Sequence, residues 1–143
     1  MNNVDSENTT RVVLSVEDDD AAYLLIRTAF RDLGSEVELE RVVNGEDALE
    51  FLKRNGKFVN APKPSLILLN MNLPRIGGPE VLAEMRADEA LRDIPVVVFS
   101  SSQLDADRVR CLALGARQFI SKPNTYNEFL QAIECACKYA QAG

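Results

Sequence analysis

Histidine is missing from this 143-residue chain, and cysteine occurs only three times. Those two scarcities leave no ligand set for a structural zinc site, which draws on four Cys or His side chains. No apolar run approaches the ~20 residues needed to cross a bilayer. Positive charge is in deficit: 16 Lys and Arg face 22 Asp and Glu, a net charge of −6. That balance disfavours nucleic acid and anionic membrane as partners, since both select a basic surface. The stretch Met1 to Thr10 lacks the basic start and apolar core of a signal peptide. It is expected to be a flexible tail (1–10) ahead of one domain (11–143), with no effector domain, in the cytoplasm. In that setting the cysteines are free thiols used for packing, with Cys135 and Cys137 facing different ways on one helix. No nucleotide-binding G-x-x-x-x-G-K-[ST] and no nucleophile motif G-x-S-x-G occurs, so the chain is not expected to be an enzyme.

What is present is an alternation. Short apolar runs, Val12–Val16, 37–43, 66–69, 96–99 and 118–120, read as strands, several of them apolar almost throughout. Such runs suit a sheet covered on both faces. Between them lie helical patterns. Ala22, Ile26, Ala29, Phe30 and Leu33 share one face, and Gly34 stops that helix. Asn44 reads as the cap of a helix over 46–54 with Ala48, Leu49 and Leu52 inward and Gly56 closing it. Gly78 precedes a helix bearing Val81, Leu82 and Met85, and 105–114 is a shorter helix ended by Gly115. Thr125 or Asn124 caps the last, whose inner face is Phe129, Ile133, Ala136, Cys137 and Ala140. Residues 57–64, with two prolines, read as a surface loop. Five βα repeats predict an α/β protein, a parallel sheet between two layers of helices.

In such sheets ligands bind beyond the carboxyl ends of the strands. That rule gathers Glu17-Asp18, Asn70, Ser100 and Lys122, each just past a strand end. Glu17 and Asp18 suit a hard cation such as Mg²⁺, with the Asn70 side-chain oxygen and the Asn72 backbone carbonyl completing the protein's donors. Asp19 and Asp20 read as caps of the first helix. Ser100 reads equally as a capping serine or a hydroxyl donor to an oxyanion. Lys122, facing several acids, is expected in an internal ion pair, and the isomer of Lys122-Pro123 is left open.

VEDD (16–19), LILLNMNLPRIGG (66–78), PVVVFSSS (95–102) and GARQFISKP (115–123) resemble the receiver domain of bacterial response regulators. The similarity spans residues 11 to 138. The loop APKPSLILL is similar to that of single-domain regulators paired with phytochrome-type histidine kinases. The resemblance implies a flavodoxin-like (βα)5 doubly wound five-stranded sheet, three layers α/β/α, and a phosphorelay partner: a sensor histidine kinase or phosphotransfer protein. It implies Mg²⁺ on Glu17 and Asp18, phosphoryl contacts from Ser100 and Lys122, and Phe119 as the aromatic that moves with the hydroxyl. It also implies an output face over residues 105–141, where Arg108, Arg110, Arg117, Glu128 and Glu134 mix signs as a homodimer surface or a solvated face would.

The phosphoacceptor position is Asn70, where the family has aspartate. An amide ties its lone pair up in resonance and is a poor nucleophile, so no phosphoryl transfer to position 70 is expected. The lost charge also weakens Mg²⁺ binding. Three readings stand: an engineered Asp-to-Asn change that locks an ordinary regulator unphosphorylated, a natural receiver acting as a phosphorylation-independent interaction module, or a fold reused with Asn70 as a cap.

Overall fold

The computed structural model describes residues 11–142; the expected tail, 1–10, lies outside them. Five strands, β1 (Val12–Val16), β2 (Glu38–Val42), β3 (Leu66–Asn70), β4 (Val96–Ser100) and β5 (Gln118–Ser121), form one parallel sheet in the order β2-β1-β3-β4-β5. Between and after them run α1 (Asp20–Asp32), α2 (Gly45–Lys53), α3 (Gly78–Arg86), α4 (Asp105–Ala113) and α5 (Tyr126–Ala142). This is the flavodoxin-like doubly wound order, and its switch point falls between β1 and β3.

Two apolar layers hold the sheet. Leu14, Val16, Ile67, Leu69, Val96 and Val98 face α2, α3 and α4, packing on Ala48, Phe51, Val81, Leu82 and Cys111. Val13, Leu66, Leu68, Val97 and Phe99 pack instead with Ile26, Ala29, Phe30, Phe129, Ile133 and Ala136 of α1 and α5. Alternation along each strand thus feeds both layers, which is why the central runs are apolar throughout. No described helix is long and apolar enough to cross a membrane. The cysteines are free: burial raises the Cys111 thiol and pushes Cys137 up to about 11, while Cys135 is exposed.

The caps follow the sequence with small shifts. Asp19 accepts from Ala21 N at 3.0 Å, Asn44 from Asp47 N at 2.7 Å and Thr125 Oγ1 from Glu128 N at 3.2 Å. The cap of α5 is therefore Thr125 rather than Asn124. Helix α2 departs from expectation at its end. Arg54 itself takes the left-handed turn at φ 57°, and Gly56 instead opens a 3₁₀ turn, Gly56–Phe58. The main inward residue of α2 is Phe51, which rests on Phe58 at 5.5 Å between rings, while Leu49 and Leu52 are half-buried. The loop over 57–64 is accordingly tied to the core at Phe58, and Pro64 is buried.

Candidate functional site

The strand ends converge through backbone bonds between neighbours. Glu17 N donates to Val42 O at 3.0 Å, Met71 N to Phe99 O at 3.0 Å and Lys122 N to Ser100 O at 2.8 Å. Gly78 closes the loop after β3: its N–H reaches Met71 O at 2.9 Å, and a Cβ there would stand 2.9 Å from Met71 Cα and 3.1 Å from Asn70 O. Only glycine lets α3 start so close to the turn that carries Asn70.

Glu17 (3% exposed), Asn70 (8%) and Ser100 (0%) are buried, whereas Asp18 and Lys122 are exposed. The Asn70 amide lies at the centre. Its Nδ2 donates to Glu17 Oε2 at 2.9 Å and to Asp18 Oδ1 at 3.4 Å, and its Oδ1 accepts from Asn72 N at 3.1 Å. The one amide nitrogen thus donates to both carboxylates. Burial raises the Glu17 carboxyl above its ordinary 4.5; the Asp19 N–H, the Lys122 charge and the Asn70 amide oppose that rise.

The acid pair fits a hard cation, but among the described residues no three acidic, His or Cys side chains cluster as metal ligands. Asn70 brings an amide and not a third carboxylate, and its oxygen faces the acids only if the amide turns over, giving up the Asn72 N–H. Asn72 is itself exposed. The side-chain oxygen expected to face the metal faces the backbone instead, because two carboxylates attract N–H donors.

Lys122 corrects the sequence reading. It forms no ion pair within 4 Å among the described residues. The nearest donor to each acid is the Asn70 amide, and the exposed Lys122 ammonium acts on Glu17 through its charge alone. Lys122 lines, with Glu17, Leu25, Ile26, Phe99 and Phe129, a cavity of about 380 Å³ between α1 and α5. The Lys122-Pro123 bond is trans, as no described peptide bond is cis. Ser100 caps no helix: its Oγ accepts from Ser102 N at 2.9 Å. Phe119 is turned inward, 8% exposed, in the layer with Val98, Cys111 and Ala116.

Arg41 was missed in the sequence. From β2 it donates Nε to Glu17 O at 3.0 Å, pairs with Asp20 at 2.9 Å and lies 4.7 Å over the Tyr23 ring. An arginine on an edge strand facing four consecutive acids was the available signal. Asp20 is therefore an ion-pair partner as well as a first-turn acid.

The family model described as "Response regulator receiver domain" matches residues 13–134. The chain belongs to that family. As a receiver of two-component signalling, it is similar to the response regulator Rcp1 of Synechocystis sp., with 32% identity over 91% of this chain and 88% of that one. The phosphorylated cyanobacterial phytochrome response regulator RcpA superposes with a TM-score of 0.85 at 32% identity, covering 93% of this chain and 95% of its own. The Mn²⁺-bound form of Rcp1 gives 0.80 at 32% identity, with 87% and 90% covered. Family and fold are thereby those that the four motifs implied, and receivers of this family engage histidine kinases or phosphotransfer proteins.

Proposed function

We propose that this receiver does not accept a phosphoryl group at position 70 and signals by binding, without enzymatic turnover. One observation carries the reading: the group at the acceptor position is an amide whose nitrogen donates to Glu17 and Asp18, with no nucleophilic oxygen facing the pocket. Attack on phosphorus needs a carboxylate oxygen with a free lone pair, and the one oxygen of Asn70 is a neutral amide held by Asn72 N. The same amide stands where Mg²⁺ would be drawn, so Mg²⁺ binds weakly, through Glu17, Asp18 and, after the amide turns, Asn70 Oδ1, with the Asn72 carbonyl assisting. When bound, such a cation supplies charge neutralisation for an incoming phosphoryl group. Ser100 and Lys122 remain the groups that would contact an oxyanion, and Phe119 the residue that would move with Ser100.

The partner we propose is a sensor histidine kinase of the phytochrome type, or a phosphotransfer protein, met in the cytoplasm. The likeness to phytochrome response regulators supports it. A homodimer through residues 105–141 is supported by the exposed apolar face of α4, where Val109 is 64% and Leu112 38% exposed and Leu104, just before the helix, 67%. Neither nucleic acid nor membrane is proposed as a partner, given the net charge of −6. Intact-mass analysis after acetyl phosphate and Mg²⁺ tests the reading. The expected result is no phosphoryl mass on the wild-type chain and one on Asn70→Asp; a phosphoryl group mapped to residue 70 of the wild type refutes it. A variant that gains the phosphoryl group without any change in partner binding would favour the phosphorylation-independent module over a disabled switch.

A further inference from the structure

We infer that Ser102 is a positioning residue that couples the buried Ser100 hydroxyl to the first turn of α4, so that the two move together. The inference uses the assignment of Ser100 as an oxyanion contact, but its geometry stands without it.

The N-cap position of α4 is Leu104, which has no side chain able to cap the helix. The capping is done from two residues upstream. Ser102 Oγ accepts from Leu104 N at 3.2 Å and donates to Asp107 Oδ2 at 2.5 Å, within the first turn. One hydroxyl has both a donor and acceptor capacity, and Ser102 uses both. Its backbone is engaged at the same time: Ser102 N donates to Ser100 Oγ at 2.9 Å, and Ser102 O accepts from Ser121 Oγ at 3.4 Å. Every polar group of Ser102 therefore points to a different element: the end of β4, the start of α4 and the end of β5.

The consequence follows from the Ser100 oxygen. It is fully buried, and the Ser102 N–H is the donor that holds it. If Ser100 turns toward an oxyanion, that N–H loses its acceptor, and residue 102 must shift or leave a polar group unpaired at a cost. A shift of 102 carries its hydroxyl away from Leu104 N and Asp107 together. The first turn of α4 is weakly held in any case: none of residues 105–108 is buried, and the one enclosed side chain of the helix, Cys111, lies a turn further on. Exposed Leu104 and Val109 flank that turn, so a displacement at Ser100 is delivered to an apolar surface. Packing of Cys111 against Phe119 and Val98 links the helix to the sheet further along, but Ser102 is the side chain that hydrogen-bonds its first turn.

The test is a double-mutant cycle read by amide hydrogen exchange, which reports opening of individual turns. Ser100→Ala, Ser102→Ala and the double variant are compared with the wild type at Asp107 and Arg108, whose amides bond to Leu104 O. Each single variant is expected to speed exchange there roughly five-fold, the effect of losing one cap. The double variant is expected to be no faster than either single, and Ser102→Thr, which keeps the hydroxyl, to restore protection. Amides of α5, such as Phe129, serve as the control for general loosening and should not change. Multiplying effects in the double variant would overturn the inference, as would failure of Ser102→Thr to rescue. Because no phosphoryl group is used, these outcomes are independent of what position 70 accepts, which the mass measurement reports separately.

Discussion

Replacing Asn70 by aspartate should make the stability of the receiver depend on pH and on Mg²⁺ in a way the wild type does not. In the wild type the amide meets Glu17 at 2.9 Å as a donor. A carboxylate at the same distance would repel it by about 6 kcal/mol at an effective dielectric constant of ~20. The folded variant has a cheaper option, which is to bind a proton at Glu17, here 3% exposed and already raised above 4.5. Holding that proton at pH 7 costs about 1.4 kcal/mol per pH unit above the ordinary value, roughly 3 kcal/mol in all. The smaller figure wins, so proton uptake caps the penalty. A protonated carboxyl also donates a hydrogen bond where the amide did, so little further loss is added.

The sign follows from the same argument. The folded-state value of the acid pair lies above the unfolded value, so the folded state holds the extra proton. The variant's stability is therefore fully present below about 4.5 and falls as pH rises through the shifted value. The deficit relative to the wild type should be about 3 kcal/mol at pH 7 and about 1 kcal/mol at pH 5.5. With a urea slope of ~1–3 kcal/mol per molar, the first figure moves the midpoint by roughly a molar or more. Urea unfolding in EDTA at both pH values measures it. Millimolar Mg²⁺ at pH 7 should recover most of the deficit by binding the three clustered acids, while moving the wild-type midpoint little. An aspartate variant as stable as the wild type in EDTA at pH 7 would refute the reasoning. So would a deficit that stays constant with pH.

Other substitutions probe the frame around the site. Asn44→Ala removes the acceptor for Asp47 N at 2.7 Å and should cost about 1 kcal/mol, with an unchanged urea slope. Ile133→Ala empties a fully buried position between α5 and the sheet, and a loss of about 2–5 kcal/mol is expected in the same assay. Gly78→Ala forces a Cβ to within 2.9 Å of Met71 Cα, so about 1–3 kcal/mol should be lost; shifted amide resonances at Asn70 and Met71 would show that the strain reaches the site. Arg41→Met should leave the sheet intact but free the Glu17 carbonyl and Asp20, seen as shifted amide resonances at residues 17–20.

Much of this molecule was legible because strand ends announce themselves. Leu66–Leu69 ends in Asn70 and Val96–Phe99 in Ser100, and in a parallel sheet such ends must lie on one rim. The acid pair, the amide, the buried serine and the lysine were thus placed together from spacing alone. What spacing could not show is direction. In the run Ser100-Ser101-Ser102 each hydroxyl has the same chemistry, and only the fold shows that the first is enclosed and the third caps α4. Lys122 was expected to pair because acids surround it in the site, yet pairing depends on whether those acids are already satisfied. The turn at Arg54 ran against the preference for glycine, which sits two residues later.

The amide itself gives the clearest case. From sequence, Asn70 is a side chain with one oxygen and one nitrogen, and an oxygen ligand for a metal is as natural as a donor for an acid. The neighbours decide. Two carboxylates lie on one side and a backbone N–H on the other, which fixes nitrogen toward Glu17 and Asp18 and oxygen toward Asn72. Reversing that orientation to ligate a cation would break the Asn72 bond and the Glu17 bond together. The cation must then compensate both, with one charge fewer to attract it than an aspartate would provide. Under the proposed function, a site with this residue takes up a cation weakly, and the Asn70 bonds are what that uptake has to break. On the proposed reading, the residue that offers no nucleophile also supplies, from within the chain, the donors that the acid pair meets.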